Sequence, residues 1–455
     1  MTKRLMLLAL LNVLVSEASA KVIQVLPGHN TLRTAIGNST DGDTLMLVDG
    51  VYSDDGSIST QKRLTLRSIS PTIKPEIQIL ESRSFEMSNN ANSTDPSLMQ
   101  GIKLTVPDGN VSFTGNGKII LVNNEIDAPV ISFSVTNAIV VGNQLNGSIS
   151  SAERVNSFIF AGNKYESSGD SNGVSTGVVL SSHGNQIYGN EFKFPADGTN
   201  LKAFHSSSIV GNRIINFNRD NTTNYQGRNM IELRPNSNPD YPFNYRIYAS
   251  NVSNNLIEHT GTNGSEILQM SVGGIVTHER VIATINNNLV IVKDPINPSA
   301  TDISGWGLSI AYAGRATNNM IVAGGSAMLN MYAEARVETL NNLCFGNAVT
   351  PDTPRDRCPL DSRNIIADPK FAELTNYTLS ADSPAVDAGD PVLSLNDLDG
   401  SRADIGLHGG PLGFLQYDNQ RAPSDKPYLY PLFDQIDLSN IEAVNLKVIS
   451  VARFK

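Results

Sequence analysis

The feature that most restricts the fold is a short phrase, glycine or asparagine, then asparagine, then an apolar pattern, which returns throughout the middle of the chain. It reads Asn123-Asn124-Glu125-Ile126, Gly142-Asn143-Gln144-Leu145, Gly162-Asn163-Lys164-Tyr165, Gly189-Asn190-Glu191-Phe192 and Gly211-Asn212-Arg213-Ile214. It continues at Asn254-Asn255, Asn287-Asn288, Asn318-Asn319 and Asn341-Asn342, each followed by Leu or Met and a second apolar residue. From one second asparagine to the next, the steps are 19, 20, 27, 22, 43, 33, 31 and 23 residues. A base step of roughly 20 residues is one coil of a three-sided β-solenoid, and the longer steps are coils carrying loops. The phrase suits the bends of such a coil, because asparagine and glycine tolerate the left-handed backbone that a tight bend demands. Asparagine amides at equivalent corners can also hydrogen-bond along the stack. Runs such as Ile131-Ser132-Phe133-Ser134-Val135 and Ile139-Val140-Val141 supply the apolar face of each short strand. The expected fold is all-β: a right-handed parallel β-helix.

Length and composition agree. At 455 residues the chain is long for one compact core, whereas a solenoid grows by adding rungs. Charged residues make up 17% and aromatics 6%, too few charges for long amphipathic helices. The net charge of −10 argues against non-specific nucleic-acid binding. It leaves room for a groove of opposite local sign.

The chain divides into five parts. Residues 1–20 read as a signal peptide: Lys3 and Arg4, an apolar run from Leu5 to Val15, and Ala18-Ser19-Ala20 as the cleavage signal. The run is too short to span a bilayer, and no later run reaches that length. A secreted or periplasmic protein is expected. Residues 21–75 form an N-terminal helical cap and the first rungs, the helix falling near Leu32-Arg33-Thr34-Ala35-Ile36. Residues 76–347 form the body of the β-helix, 348–411 a loop-rich C-terminal cap, and 412–455 a tail. The only cysteines, Cys344 and Cys358, pair as a disulfide in an oxidising compartment; two buried thiols are the alternative.

One stretch stands out by charge. From Glu191 to Arg246 there are seven basic and five acidic residues, a local +2 in an acidic chain, together with the longest insertion in the repeat register. Arg228-Asn229-Met230-Ile231-Glu232-Leu233-Arg234 alternates like a strand, with Arg228, Met230, Glu232 and Arg234 on one face. Arg219, Arg228, Tyr225, Tyr241 and Tyr245 are candidates for binding an acidic sugar, since guanidinium forks match carboxylates and aromatic faces stack on sugar rings. Lys202, His205 and Arg234 are the catalytic candidates. Glu232 with Glu266 is the candidate calcium pair. Solvated ion pairs on a sheet face are the alternative for the charged residues; Trp306, the single tryptophan, reads as a sugar-stacking platform at a turn or as a packing anchor.

The phrases Leu32-x-x-Ala35-Ile36, Gly42-Asp43-Thr44-Leu45 and Asp49-Gly50-x-Tyr52 resemble the start of secreted pectin-lyase-type β-helices, nearest to the chondroitinase B and alginate lyase group, polysaccharide lyase family 6. Ser383-Pro384-Ala385-Val386-Asp387-Ala388-Gly389-Asp390 and Asp404-Ile405-Gly406 resemble the closing segment of exported bacterial β-helices. The resemblance implies β-elimination on uronic-acid polysaccharides, with calcium held by Glu and Asn, a Lys base and an assisting Arg. Around Gly264-Ser265-Glu266-Ile267, Glu266 matches the second acidic position. Gly264 replaces the first, Met270-Ser271 stand where the Lys is expected, and Gly307 to Ala311 carry no Arg. The family's catalytic set is therefore not carried over intact. Two functions stay open: a lyase or related enzyme acting on an acidic polysaccharide, and a non-catalytic glycan-binding or surface β-helix.

Overall fold

The computed structural model describes residues 20–80, 82–89, 95–167, 177–195, 201–217, 224–235, 248–260, 269–278, 280–292, 302–323, 328–333, 336–346, 363–397, 399–413, 428–433 and 448–453. They form two units, residues 1–417 and 418–455. The larger is a parallel β-helix. One side is a sheet of 13 strands running from Val22–Val25 to Val337–Leu340, each paired in parallel with the strand one coil away. The other two sides are joined into a 22-stranded sheet, because long strands such as Glu125–Ser134 and Asn224–Arg234 bend round the corner through a shift of register. All these coil pairings are parallel, as one strand per side per turn requires.

Inside, like residues stack on like. Val111, Ile131, Ile149, Val178, Leu201, Ile231, Ile275 and Leu308 follow one another on the third side, all essentially inaccessible to solvent. Each such burial stabilises by about 1.5–3 kcal/mol. The helix Thr31–Asn38 places Leu32 and Ile36, one turn apart, in the same core.

The asparagine phrase is a continuous ladder. The first residue of each pair bends the chain: Asn123, Gly142, Gly162, Gly189, Gly211, Asn254, Asn287, Asn318 and Asn341 all have φ between 53° and 68°. The second, buried, links the coils. Asn124 Nδ2 donates to Asn143 Oδ1 at 3.0 Å, and the pattern repeats through Asn163, Asn190, Asn212, Asn255, Asn288, Asn319 and Asn342. A tenth rung, Asn364, accepts from Asn342 at 3.1 Å. Each Oδ1 from Asn143 onward also takes the backbone N–H of the previous asparagine. Each Nδ2 also donates to a carbonyl of the coil below, as Asn255 does to Ile209. Buried amides are thereby satisfied on every rung. The β-helix thus runs one coil past the rhythm read from the sequence, to Ile365–Ile366.

Residues 363–413 lie along the flank of the last coils. On the second side, the outward column Glu76, Lys103, Glu125, Gln144, Lys164, Glu191, Arg213 turns apolar at Leu256, Leu289, Met320 and Leu343. That apolar stripe is covered by Tyr377, Ala385, Ile405 and Leu407. The first asparagines of the same coils hold the cover in place. Asn254 donates to the carbonyls of Leu407 and Gly409, Asn287 to that of Asp404, Asn341 to that of Ala388, and Asn318 Oδ1 accepts from the N–H of Asp390. Cys344, on the last of these coils, is disulfide-bonded; Cys358 lies outside the described residues. The smaller unit contains a hairpin of Tyr428–Phe433 and Val448–Arg453. The signal-peptide reading falls on residues outside the described set, apart from Ala20. Among the described residues no helix is long and apolar enough to cross a membrane.

Candidate functional site

On the outward face of the third side, Lys202 pairs with Glu232 across neighbouring coils, and Glu232 with Val276. Strand alternation puts Arg234 two residues on, beside Glu232, and His278 follows on the next coil. These four side chains converge. Glu232 Oε1 accepts from Arg234 Nε at 2.7 Å and lies 2.8 Å from His278 Nε2, while Lys202 Nζ stands 3.4 Å from Oε2. Glu232 is 6% exposed, whereas Lys202, Arg234 and His278 are 28%, 39% and 38% exposed. The carboxylate is thus the sunken anchor of three groups that reach solvent. Burial alone would raise its pKa, but the hydrogen bonds from His278 and Arg234 and the charge of Lys202 outweigh that and hold it at about 2.

Two chemical consequences follow. With Glu232 ionised, its one negative charge against the two positive charges of Lys202 and Arg234 leaves a net +1, which suits an anionic ligand. Glu232 also fixes the imidazole. A carboxylate can only accept, so Nε2 carries the proton it donates, and in the neutral ring Nδ1 holds the lone pair of a base. This is the carboxylate–histidine logic by which a buried acid selects a tautomer.

The same geometry does not suit calcium at Glu232. A calcium ion needs six or more oxygen ligands, and this carboxylate is already surrounded by three nitrogen donors. Its intended companion, Glu266, lies outside the described residues. Among the described residues no group of three or more His, Cys, Asp or Glu is arranged to hold a metal.

The remaining candidates are distributed as follows. His205 is not at the surface. It sits at a corner with φ 59°, 1% exposed, between the rings of His183 and Tyr248 at 4.8 and 4.9 Å. Burial, assisted by repulsion from His183, lowers its pKa to about 4. It packs a corner and cannot reach a polymer outside. Met230 does not share the solvent-reaching face of Arg234; it is fully buried, beside Asn216, just past the shift of register between Gln226 and Asn229. Tyr225 pairs with Met270, and Arg228 falls within that shift of register; only their strand positions are described. Arg219, Tyr241 and Tyr245 lie outside the described residues. His278 was missed by sequence reasoning. Its signal is lateral, one coil beyond Arg234, and becomes legible only when the coils are aligned.

A second buried carboxylate serves packing. Glu258 accepts from Arg213 Nε and from Tyr377 Oη, both at 2.8 Å, and is 1% exposed. It ties the coil to the C-terminal segment.

No family model matches the chain, and no curated protein matches it. Among solved structures, the chain is similar to that described as the crystal structure of pectate lyase Pel9A, at 12% identity and a TM-score of 0.30, covering 85% of this chain and 96% of that one. The assignment as a parallel β-helix rests on the strand pairing and the ladder described above.

Proposed function

We propose that this protein, after export to the periplasm or the cell exterior, binds a uronic-acid polysaccharide on its third side and cleaves it by β-elimination. The observation that supports this most directly is the buried Glu232 beneath Lys202, Arg234 and His278. Elimination needs the sugar carboxylate neutralised, so that the C5 proton becomes acidic, and a base to take that proton. Arg234 and Lys202 supply the positive charge, and Glu232 orients His278. Nδ1 of His278 takes the C5 proton, and the electron pair of that C–H bond forms the C4–C5 double bond. The C4–O bond breaks, its electrons leave with the oxygen of the departing sugar, and solvent returns a proton there.

The test is to incubate the purified protein with alginate, chondroitin, dermatan and pectate, with and without calcium, and follow the ultraviolet band of the unsaturated uronate. The band is expected without added calcium. It falls by about 100-fold or more in rate in His278→Ala, the usual scale of lost general-base catalysis, and KM rises in Arg234→Ala. Product formation unchanged in His278→Ala overturns the mechanism. Binding without the band supports a second reading, a non-catalytic glycan-binding β-helix, which the absence of the lyase group's Lys and Arg from residues 264–271 and 307–311 favours.

A further inference from the structure

Buried acids in this chain come with an arginine. Among the described residues five carboxylates are buried: Asp43, Asp54, Glu232, Glu258 and Asp390. Asp54 pairs with Arg33, Glu232 with Arg234, Glu258 with Arg213 and Asp390 with Arg315. Asp43, 1% exposed, is the exception. The donors that reach it are two backbone N–H groups and one hydroxyl. Its Oδ2 is filled from its own loop, accepting from the N–H of Thr40 at 2.8 Å and from Thr40 Oγ1 at 3.1 Å. Its Oδ1 accepts from the backbone nitrogen of Lys21 at 2.7 Å. A buried carboxylate ordinarily requires a positive partner, and the other four acids show the fold supplying one.

Lys21 is also where the sequence places a cut. Ala18-Ser19-Ala20 sets small residues first and third before the Ala20–Lys21 bond, and both residues of that bond are exposed. The strand that begins just after it, Val22–Val25, stands at the end of the 13-stranded sheet and pairs with Thr44–Leu47. Of its four side chains only that of Val25 is fully buried, and Val22 is 74% exposed. A terminal strand with so little apolar anchorage frays readily, so what holds its first residue matters.

We infer that Asp43 is a binding site for an α-ammonium group: removal of the leader after Ala20 frees the nitrogen of Lys21, and the buried carboxylate receives its charge and closes the N-terminal cap. In the cut, water gives its oxygen to Ala20, which departs as a carboxylate, and both protons to the Lys21 nitrogen, which becomes –NH3+. An α-amino group with an ordinary pKa of about 7.7–8.0 is largely charged at neutral pH. Before the cut the donor to Asp43 is a neutral amide; afterwards it is a cation on the same atom, and such charge-assisted hydrogen bonds are roughly twice as strong. The missing fifth cation is thus made by processing. This shares with the proposed function only the export of the chain, and no step of it touches a glycan.

The test has two arms. Mass spectrometry of the exported protein reads its first residue; Lys21 is expected, and any other start overturns the cut. Hydrogen exchange then compares the chain Lys21–Lys455 with the same chain carrying Ala20 in front, which keeps the amide donor but moves the charge one residue away. The N–H groups of Thr44 and Thr65 donate to the carbonyls of Lys21 and Asp43. They are expected to exchange about 5- to 10-fold more slowly in the chain beginning at Lys21, the ratio between a charged and a neutral donor. The N–H of Asn255, in the middle of the ladder, exchanges alike in both, since a solenoid couples only neighbouring coils. Asp43→Asn removes the difference between the two chains. Should that variant fail to fold, α-acetylation of Lys21 serves instead, and the acetylated chain exchanges like the Ala20 form. Equal exchange at Thr44 and Thr65 in the two chains, or a difference that persists in Asp43→Asn or after acetylation, overturns the site. Neither arm bears on uronan cleavage, which is assayed separately.

Discussion

The asparagine ladder makes a quantitative demand at its centre, Asn255. Its Oδ1 accepts from the backbone N–H of Asn212 at 3.0 Å and from Asn212 Nδ2 at 2.9 Å. Its Nδ2 faces three acceptors: Asn288 Oδ1 at 2.9 Å, the Ile209 carbonyl at 2.8 Å and the Ser253 carbonyl at 3.0 Å. The residue has no solvent exposure. Asn255→Asp keeps the shape and the accepting oxygen but turns the donor into an acceptor against three acceptors. Leaving even two of these groups without a donor costs about 1–3 kcal/mol each, hence about 2–6 kcal/mol before any buried charge is added. The carboxyl escapes part of that by staying protonated, since an Asp O–H can still donate once. The variant should therefore gain stability as pH falls, opposite to the usual behaviour of a paired carboxylate. Urea unfolding of the variant and the original protein between pH 4 and 8 measures this. Because a solenoid couples only neighbouring coils, a second, earlier transition is also expected in the variant. Asn364→Asp, at the partly buried end of the ladder, should cost less. If Asn255→Asp is as stable as the original protein at pH 8, or loses stability on acidification as fast, the ladder is not what holds the coils together.

Two further outcomes follow from named contacts. Glu232, held at about 2 against an ordinary 4.5, contributes stability that is complete above the unfolded value and is lost as pH falls from 4.5 towards 2. That is on the order of 3 kcal/mol, and acid titration of Glu232→Gln should lack this component; an identical acid limb would refute the burial and pairing assigned to it. Asn254→Gly keeps the left-handed bend, as Gly211 does one coil earlier, but strips two hydrogen bonds from the carbonyls of Leu407 and Gly409. Hydrogen exchange should quicken through residues 363–413 by an amount corresponding to about 1–2 kcal/mol while the ladder amides of earlier coils are unaffected, and uniform quickening would count against a local clamp.

The ladder was legible because two physical requirements fall on adjacent residues. A bend in the left-handed region selects Gly or Asn, and a buried link between coils selects a side chain that both donates and accepts. Where one requirement goes unmarked, legibility fails. Asn364 follows Arg363 rather than Gly or Asn, so the pair is absent, although the step of 22 from Asn342 is the base step of the repeat. Met230 shows the converse. Its alternation with Glu232 and Arg234 is a sound strand pattern, but alternation holds only along a regular strand, and Met230 lies just past a shift of register.

The site was legible along the chain and not across it. Lys202, Glu232 and Arg234 were selected from local charge, and they do converge. The histidine was chosen by the same local reasoning, from its closeness in sequence to Lys202, and there the reasoning breaks. In a coil of three sides, a position three residues beyond an outward one can pass onto the corner, and His205 is turned inward there with a left-handed backbone. The histidine that meets the carboxylate is one coil on from Arg234, at a separation set by loops whose lengths carry no periodic information. Lateral distance between coils is constant while sequence distance is not, so a site assembled across coils can be read only after registering them on the ladder. The asparagines supply that register: counted from Asn190, Asn212 and Asn255, the coils bearing Lys202, Glu232 and His278 are consecutive, and the four side chains become neighbours without further assumption.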